Sequence, residues 1–161
     1  MPVPIEFSLE HLAGRIAPGR PLIGLDLGTR TIGVAVSDLT RQIATARLTI
    51  RRSKFTADAQ ALLALAAAEK AAGFILGYPV NMDGSEGPRA QSTRAFATNL
   101  SRLTDLPIAL WDERLSTAAV ERALIAAERS RARRAALIDK LAAAYILQGA
   151  LDRLANMVAR P

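Results

Sequence analysis

From Pro21 onward the chain alternates short apolar runs with brief polar breaks. The first three runs, PLIGLDLG, TIGVAVSD and QIATARLTI, are rich in Ile, Val and Leu, which predicts three sequential antiparallel strands. The break Gly28-Thr29-Arg30 is hairpin-sized, and Gly28 is expected to turn the chain through a positive φ. Asp26 then lies near the end of the first strand. Residues 56–72, with Leu62, Leu63, Leu65 and several alanines, predict a helix, and Gly73 to Gly77 a fourth strand. Pro79 to Pro88 reads as a polar loop. The spacing of Ala90, Phe96, Ala97 and Leu100 predicts a helix over 89–103, with Pro88 suited to its first turn. A fifth strand covers Pro107 to Trp111 and stops at Asp112-Glu113-Arg114. A helix capped by Ser116 or Thr117 is expected to run to Ala127, and a long apolar helix covers Leu137 to Leu154 with Asp139 in its first turns. The order βββαβαβαα predicts an α/β domain, with a mixed five-stranded sheet of three antiparallel strands and then two parallel ones, flanked by helices. Residues 1–20 are expected to be a loosely ordered extension and residues 21–156 the folded domain.

Composition narrows the chemistry. The 161 residues suit one domain, and with 50% apolar and 22% charged residues there is material for a core. Cysteine is absent and His11 is the single histidine, which removes disulfides, thiolate metal sites, cysteine nucleophiles and most histidine catalysis. Carboxylates are the reactive groups that remain. Lys and Arg number 21 against 15 Asp and Glu, a net charge of +6 that favours a polyanionic partner such as nucleic acid. No apolar run approaches the roughly 18 residues of a membrane span, and the start of the chain mixes Glu6, Glu10, His11 and Arg15, so a cytoplasmic protein without membrane contact is expected.

Three acids stand where acids are costly. Asp26 interrupts an apolar strand, Glu113 directly follows the last strand, and Asp139 is set among Leu137, Ile138, Leu141 and consecutive alanines. Taken singly, Asp26 could be a turn former before Gly28, Glu113 an ion-pair partner of Arg114, and Asp139 a helix-start charge favoured by the dipole. Together they point to divalent cations, which hold converging carboxylates ionised, and an all-oxygen ligand set selects magnesium or manganese over zinc.

Four segments, GLDLGTRTIGVAVSD, GYPVNMDGSEG, WDERLST and IDKLAAAYILQ, resemble in order and spacing the signature segments of the YqgF family, also known as RuvX. The likeness runs from Leu22 to Leu151. One segment alone is unspecific, since GxDxGT also opens the phosphate-binding hairpin of the actin and sugar-kinase superfamily; four in register are highly specific. The resemblance implies a ribonuclease H-like fold and a nuclease, described as acting on the 5' end of precursor 16S ribosomal RNA and sometimes as a Holliday-junction resolvase. It places the family's first-strand aspartate on Asp26, its DER-segment glutamate on Glu113 and its final-helix aspartate on Asp139, the acids already singled out by cost. Tyr78 and Val80 depart from the leucines more common around the loop proline.

Phosphodiester hydrolysis is expected to use two ions, Mg2+ or Mn2+, about 3.5–4 Å apart, with Asp26 bridging both and Glu113 and Asp139 flanking one each. Strand alternation allows at most one of Asp112 and Glu113 to face a shared cluster, and the choice of Glu113 comes from the resemblance. Arg30, Arg114, Arg129, Arg131, Arg133, Arg134 and Lys140 are expected to meet backbone phosphates, although the 129–134 run also reads as a solvated helix connection. Asn81 and Ser85 could offer neutral hydrogen bonds to substrate, or simply build the turn that leads into the next helix. Arg41, Arg47, Arg51, Arg52 and Lys54 receive no role, because edge strands often display basic side chains. Aromatic residues are scarce at 4%, which favours recognition of shape and phosphate in a structured substrate over base stacking. The expected partner is structured RNA such as pre-rRNA, trimmed by a monomer, or branched DNA, cut by a twofold homodimer. A non-catalytic RNA-binding factor for ribosome assembly or transcription is the reading from another class. A sugar-kinase-like hydrolase would need a second related domain.

Overall fold

The computed structural model describes the backbone of residues 3–115 and 131–159 and the side chains of residues 3–115 and 141–157. Five strands, β1 (Leu22–Leu27), β2 (Thr31–Ser37), β3 (Ala44–Arg51), β4 (Gly73–Tyr78) and β5 (Ile108–Asp112), form one sheet in the order β3-β2-β1-β4-β5. The pairs β1·β2 and β2·β3 are antiparallel, and β1·β4 and β4·β5 are parallel, as the element order requires. Among the described residues four helices flank it: α1 (Leu9–Ala13), α2 (Phe55–Glu69), α3 (Pro88–Ser101) and α4 (Arg131–Ala159). Among the described residues no helix is long and apolar enough to cross a membrane.

Strands β1 and β4 and the edge strand β5 are buried throughout, with helices on both faces of the sheet, which is why they read as mainly apolar runs. Edge strand β3 is nowhere fully buried. On one face Ile23, Leu25, Phe74, Leu76 and Leu110 pack with Leu62 of α2 and Phe96 and Leu100 of α3. On the other, Leu22, Ile75, Ala109 and Trp111 pack with Leu12 of α1 and Ile146, Leu147 and Leu151 of α4. Each large side chain so buried contributes about 1.5–3 kcal/mol. Helix α4 comes very close to β1 because position 24 lacks a side chain: a Cβ on Gly24 would stand 2.6 Å from Leu147 Cβ and 3.1 Å from the Ala143 carbonyl oxygen.

Several expectations change in detail. Helix α2 stops at Glu69, short of Ala72, because Lys70 takes φ 56° and frees Ala72 to bond the Pro21 carbonyl at 2.7 Å, at the threshold of β4. Helix α4 is already helical at Arg131, well before Leu137, since Arg and Ala extend a helix without contributing to the apolar period that located it. The helix expected over 116–127 lies outside the described residues. Gly28 does not have a positive φ. Its N–H closes the turn on the Thr31 carbonyl at 2.9 Å, and a Cβ would stand 3.0 Å from that oxygen, so the requirement is for space.

Residues 5–13, expected to belong to a loose extension, form a 3-10 turn and α1. Ser8 caps α1 by accepting the His11 N–H at 3.1 Å, and Phe7, Leu9 and Leu12 are buried. Arg41 secures the chain that follows, donating to the carbonyls of Ala17 at 2.7 Å and Arg20 at 2.8 Å. Asp38 builds the β2–β3 turn. The Ile43 amide first, then the Thr40 hydroxyl and the Gln42 amide, favour its charged form and lower its pKa to about 2.

Candidate active site

Asp26, the penultimate residue of β1, is only 7% exposed. Alternation puts it with Leu22 and Gly24 on the α4 face of the sheet. Its partner on β2 is Gly33, and the parallel register Leu25↔Leu76 sets Gly77 beside it on β4. Gly77 in turn pairs with Trp111 of β5. A Cβ on Gly77 would stand 2.5 Å from Ile146 Cδ1 of α4 and 3.4 Å from the carboxyl carbon of Glu113. Glu113 therefore reaches back over Gly77 on the same face as Asp26. The two acids sit on either side of a residue without a side chain, their strands two spacings or about 10 Å apart.

Asp112 goes the other way. It is 7% exposed and grips Arg114, with Nη2 to Oδ2 at 2.6 Å, Nε to the two oxygens at 3.0 and 3.1 Å, and the Arg114 N–H at 2.9 Å. Those bonds raise the pKa of Arg114 further. The alternative of a Glu113–Arg114 ion pair is thereby replaced: the guanidinium closes on Asp112, and of the two neighbouring acids Glu113 is the one on the Asp26 face.

Asp139 lies in α4, one turn before Ala143 and two before Leu147, the residues that pack on Gly24. Its side chain, like those of Arg131, Arg133, Arg134 and Lys140, lies outside the described residues, as does Arg129 altogether. Among the described residues no three acidic or histidine side chains form a metal-sized group. Asp26 and Glu113 both offer the oxygen donors that a hard divalent cation takes, and the space over Gly77 between their strands is shared by Ile146 Cδ1 and the Glu113 carboxyl carbon, 2.5 and 3.4 Å from where a Cβ would stand.

The loop after β4 is held internally and at its flanks. Asn81 donates from its N–H to the Ser85 carbonyl at 2.9 Å and from its amide to Ser85 Oγ at 3.0 Å, while Asp83 accepts the Ser85 N–H at 2.9 Å. Arg114 donates to the Met82 carbonyl at 3.1 Å, tying the loop to β5. Burial, then a hydrogen bond to Glu86, pushes the Tyr78 hydroxyl pKa upward, and Glu86 also receives Arg94 Nε at 3.0 Å. Asn81, for which the sequence leaves substrate and turn both open, builds the turn, and Arg114, expected at substrate, braces the loop in this structure. Arg30 is exposed in the β1–β2 turn.

Sequence reasoning overlooked Arg52. Its guanidinium donates to the Gly28 carbonyl at 2.6 Å and lies 5.9 Å from the Phe96 ring centroid, while its N–H meets the Arg30 carbonyl at 2.8 Å. The turn just beyond Asp26 is bracketed by this one residue. The doublet Arg51-Arg52 at a strand end was the available signal, since alternation sends its members to opposite faces.

A family model described as RuvX, Holliday junction resolvase, matches residues 20–153. A protein of Rhodopseudomonas palustris (strain BisB5) named "Putative pre-16S rRNA nuclease" is 68% identical over 154 residues, 96% of this chain and 96% of that protein. One of the same name from Nitrobacter winogradskyi is 72% identical over 135 residues, 84% of this chain and 83% of that protein. Among solved structures, Thermus thermophilus RuvC in complex with Holliday junction substrate aligns with a TM-score of 0.52 at 12% identity, covering 87% of this chain and 97% of the other. The yeast mitochondrial Holliday junction resolvase Ydc2 aligns with a TM-score of 0.50 at 13% identity, covering 93% and 85%. The sheet and its helices are those of the expected ribonuclease H-like fold.

Proposed function

The chain belongs to the RuvX (YqgF) family, and from that premise we propose that it is a nuclease that hydrolyses phosphodiester bonds at the 5' end of precursor 16S ribosomal RNA, with Asp26, Glu113 and Asp139 as ligands of Mg2+ or Mn2+. The observation that carries this reading is the placement of Asp26 and Glu113 on one face, on either side of Gly77. The high identity to proteins named for pre-16S rRNA supports the substrate.

Bound divalent ions supply charge stabilisation at the phosphate and a more acidic water. The chain's own part is to hold the acids. Asp26 is fixed by a central strand paired on both sides, the most rigid mount in the fold. Glu113 begins a short 3-10 turn whose next residue, Arg114, is locked onto Asp112, so its carboxylate stays over Gly77. Position 139 is carried by a helix seated on Gly24. Arg129, Arg131, Arg133, Arg134 and Lys140 lie just before or within that helix and supply positive charge for the substrate backbone. The site of action is the cytoplasm, where bacterial rRNA is matured, and trimming one RNA end requires only a monomer. The second reading, a resolvase of branched DNA, is favoured by the description of the matching family.

Incubation of the protein with a 5'-extended 16S precursor RNA and with a four-way DNA junction, each with Mg2+ or Mn2+, separates the two. Shortening of the RNA at its 5' end with the junction intact is the expected outcome. Paired symmetric cuts in the junction with intact RNA would establish the resolvase, and cleavage of neither substrate would contradict both.

A further inference from the structure

We propose that the outer end of β3 is a phosphate-binding track, in which Arg30, Arg51 and Lys54 contact the sugar-phosphate backbone of the nucleic acid being cut. This rests on the nuclease reading and adds the surface along which the substrate lies.

The sheet register sets the position. Asp26 pairs with Gly33 and Gly33 with Thr49, one row across three strands, and Thr31 pairs with Arg51 in the row two residues further out. Alternation therefore places Arg51 on the same face as Asp26. Two strand spacings and two residues along the strand put their α-carbons about 12 Å apart, a few nucleotide steps. The neighbouring Arg52 turns to the opposite face, against Phe96. Arg52 also couples the track to the site: through its N–H it holds the Arg30 carbonyl and through its guanidinium the Gly28 carbonyl, so the turn carrying Arg30 and the end of β3 form one unit with the strand of Asp26.

Among the described residues no ion pair neutralises the charge on this unit. Arg30, Arg51 and Lys54 are exposed. The ion pairs of the described residues involve Arg47, Arg94 and Arg114. Asp58, the acid closest in sequence to Lys54, is buried and accepts the N–H and hydroxyl of Ser53. Three cations on separate segments, spread along a sheet edge rather than converging on a point, match a repeating polyanion better than a single phosphate. Arg51 lies on the β2–β3 side of Asp26, across the sheet from Glu113, so a strand crossing the acids would run out over it and leave the sheet edge between the turn of Arg30 and Lys54 at the start of α2.

The test is nucleic-acid binding in KCl without divalent ions, in an Asp26→Asn background that does not consume the probe, a 5'-extended RNA hairpin. Adding Arg30→Gln, Arg51→Gln and Lys54→Gln together is expected to reduce the slope of log K against log salt by about 2–3, since each phosphate contact contributes roughly 0.7–0.9. The thermal midpoint should stay unchanged, the three side chains being exposed. An unchanged slope would overturn the track, whether or not the parent protein cuts RNA. A reduced slope together with a parent protein that cleaves no substrate would keep the track and overturn the nuclease reading.

Discussion

Replacing Asp26 with asparagine is expected to slow RNA cleavage by at least about 10³-fold, roughly 4 kcal/mol of barrier, while the protein stays folded. Asparagine matches aspartate in size, so the buried end of β1 keeps its packing and its pairing with β2 and β4. What it loses is the second anionic oxygen needed to bind divalent cations, and the two other acids at strand ends are already engaged: Asp112 with Arg114, and Asp38 with the β2–β3 turn. Stability should change by no more than about 1 kcal/mol, or roughly 2–4 °C in midpoint. Cleavage rates beside thermal unfolding check this. Cleavage at the parent rate would remove Asp26 from the chemistry.

Gly24→Ala should damage stability and activity together. The added methyl would meet Leu147 Cβ at 2.6 Å and the Ala143 carbonyl at 3.1 Å. Neither atom can swing aside as a side-chain tip would, so relief requires α4 to lift from β1. Overpacking of this kind costs about 1–3 kcal/mol. Because α4 also carries Asp139, the same shift displaces one proposed ligand from the other two, and the cleavage rate at saturating RNA should fall even at temperatures where the variant is fully folded. A variant that is less stable but cuts at the parent rate would show that the seat of α4 does not position the site.

Much of this architecture is legible in the sequence because its signals are local. β1 to β5 stand out as apolar runs, and Asp26 stands out because an acid inside such a run is costly. Glu113 and Asp112 are harder: both end the same strand, and only the sheet face and the Arg114 clamp separate them. The importance of Gly24 and Gly77 is invisible along the chain, since it depends on how closely α4, distant from both in sequence, approaches. Arg51 and Arg52 are the same residue type with different surroundings, and their difference follows from register. Helix α1 has 5 residues, too few to give a periodic signal or to persist without the core contacts of Leu9 and Leu12.

The central claim is that Asp26, Glu113 and Asp139 converge on divalent ions, and a crystal soaked in Mn2+, read by its anomalous difference map, tests it most directly. The expected result is two manganese peaks about 3.5–4 Å apart, bridged by Asp26 and flanked by Glu113 and Asp139. A map with no manganese beside Asp26 and Glu113, in a crystal that shows the Asp139 carboxylate directed away from them, would contradict it.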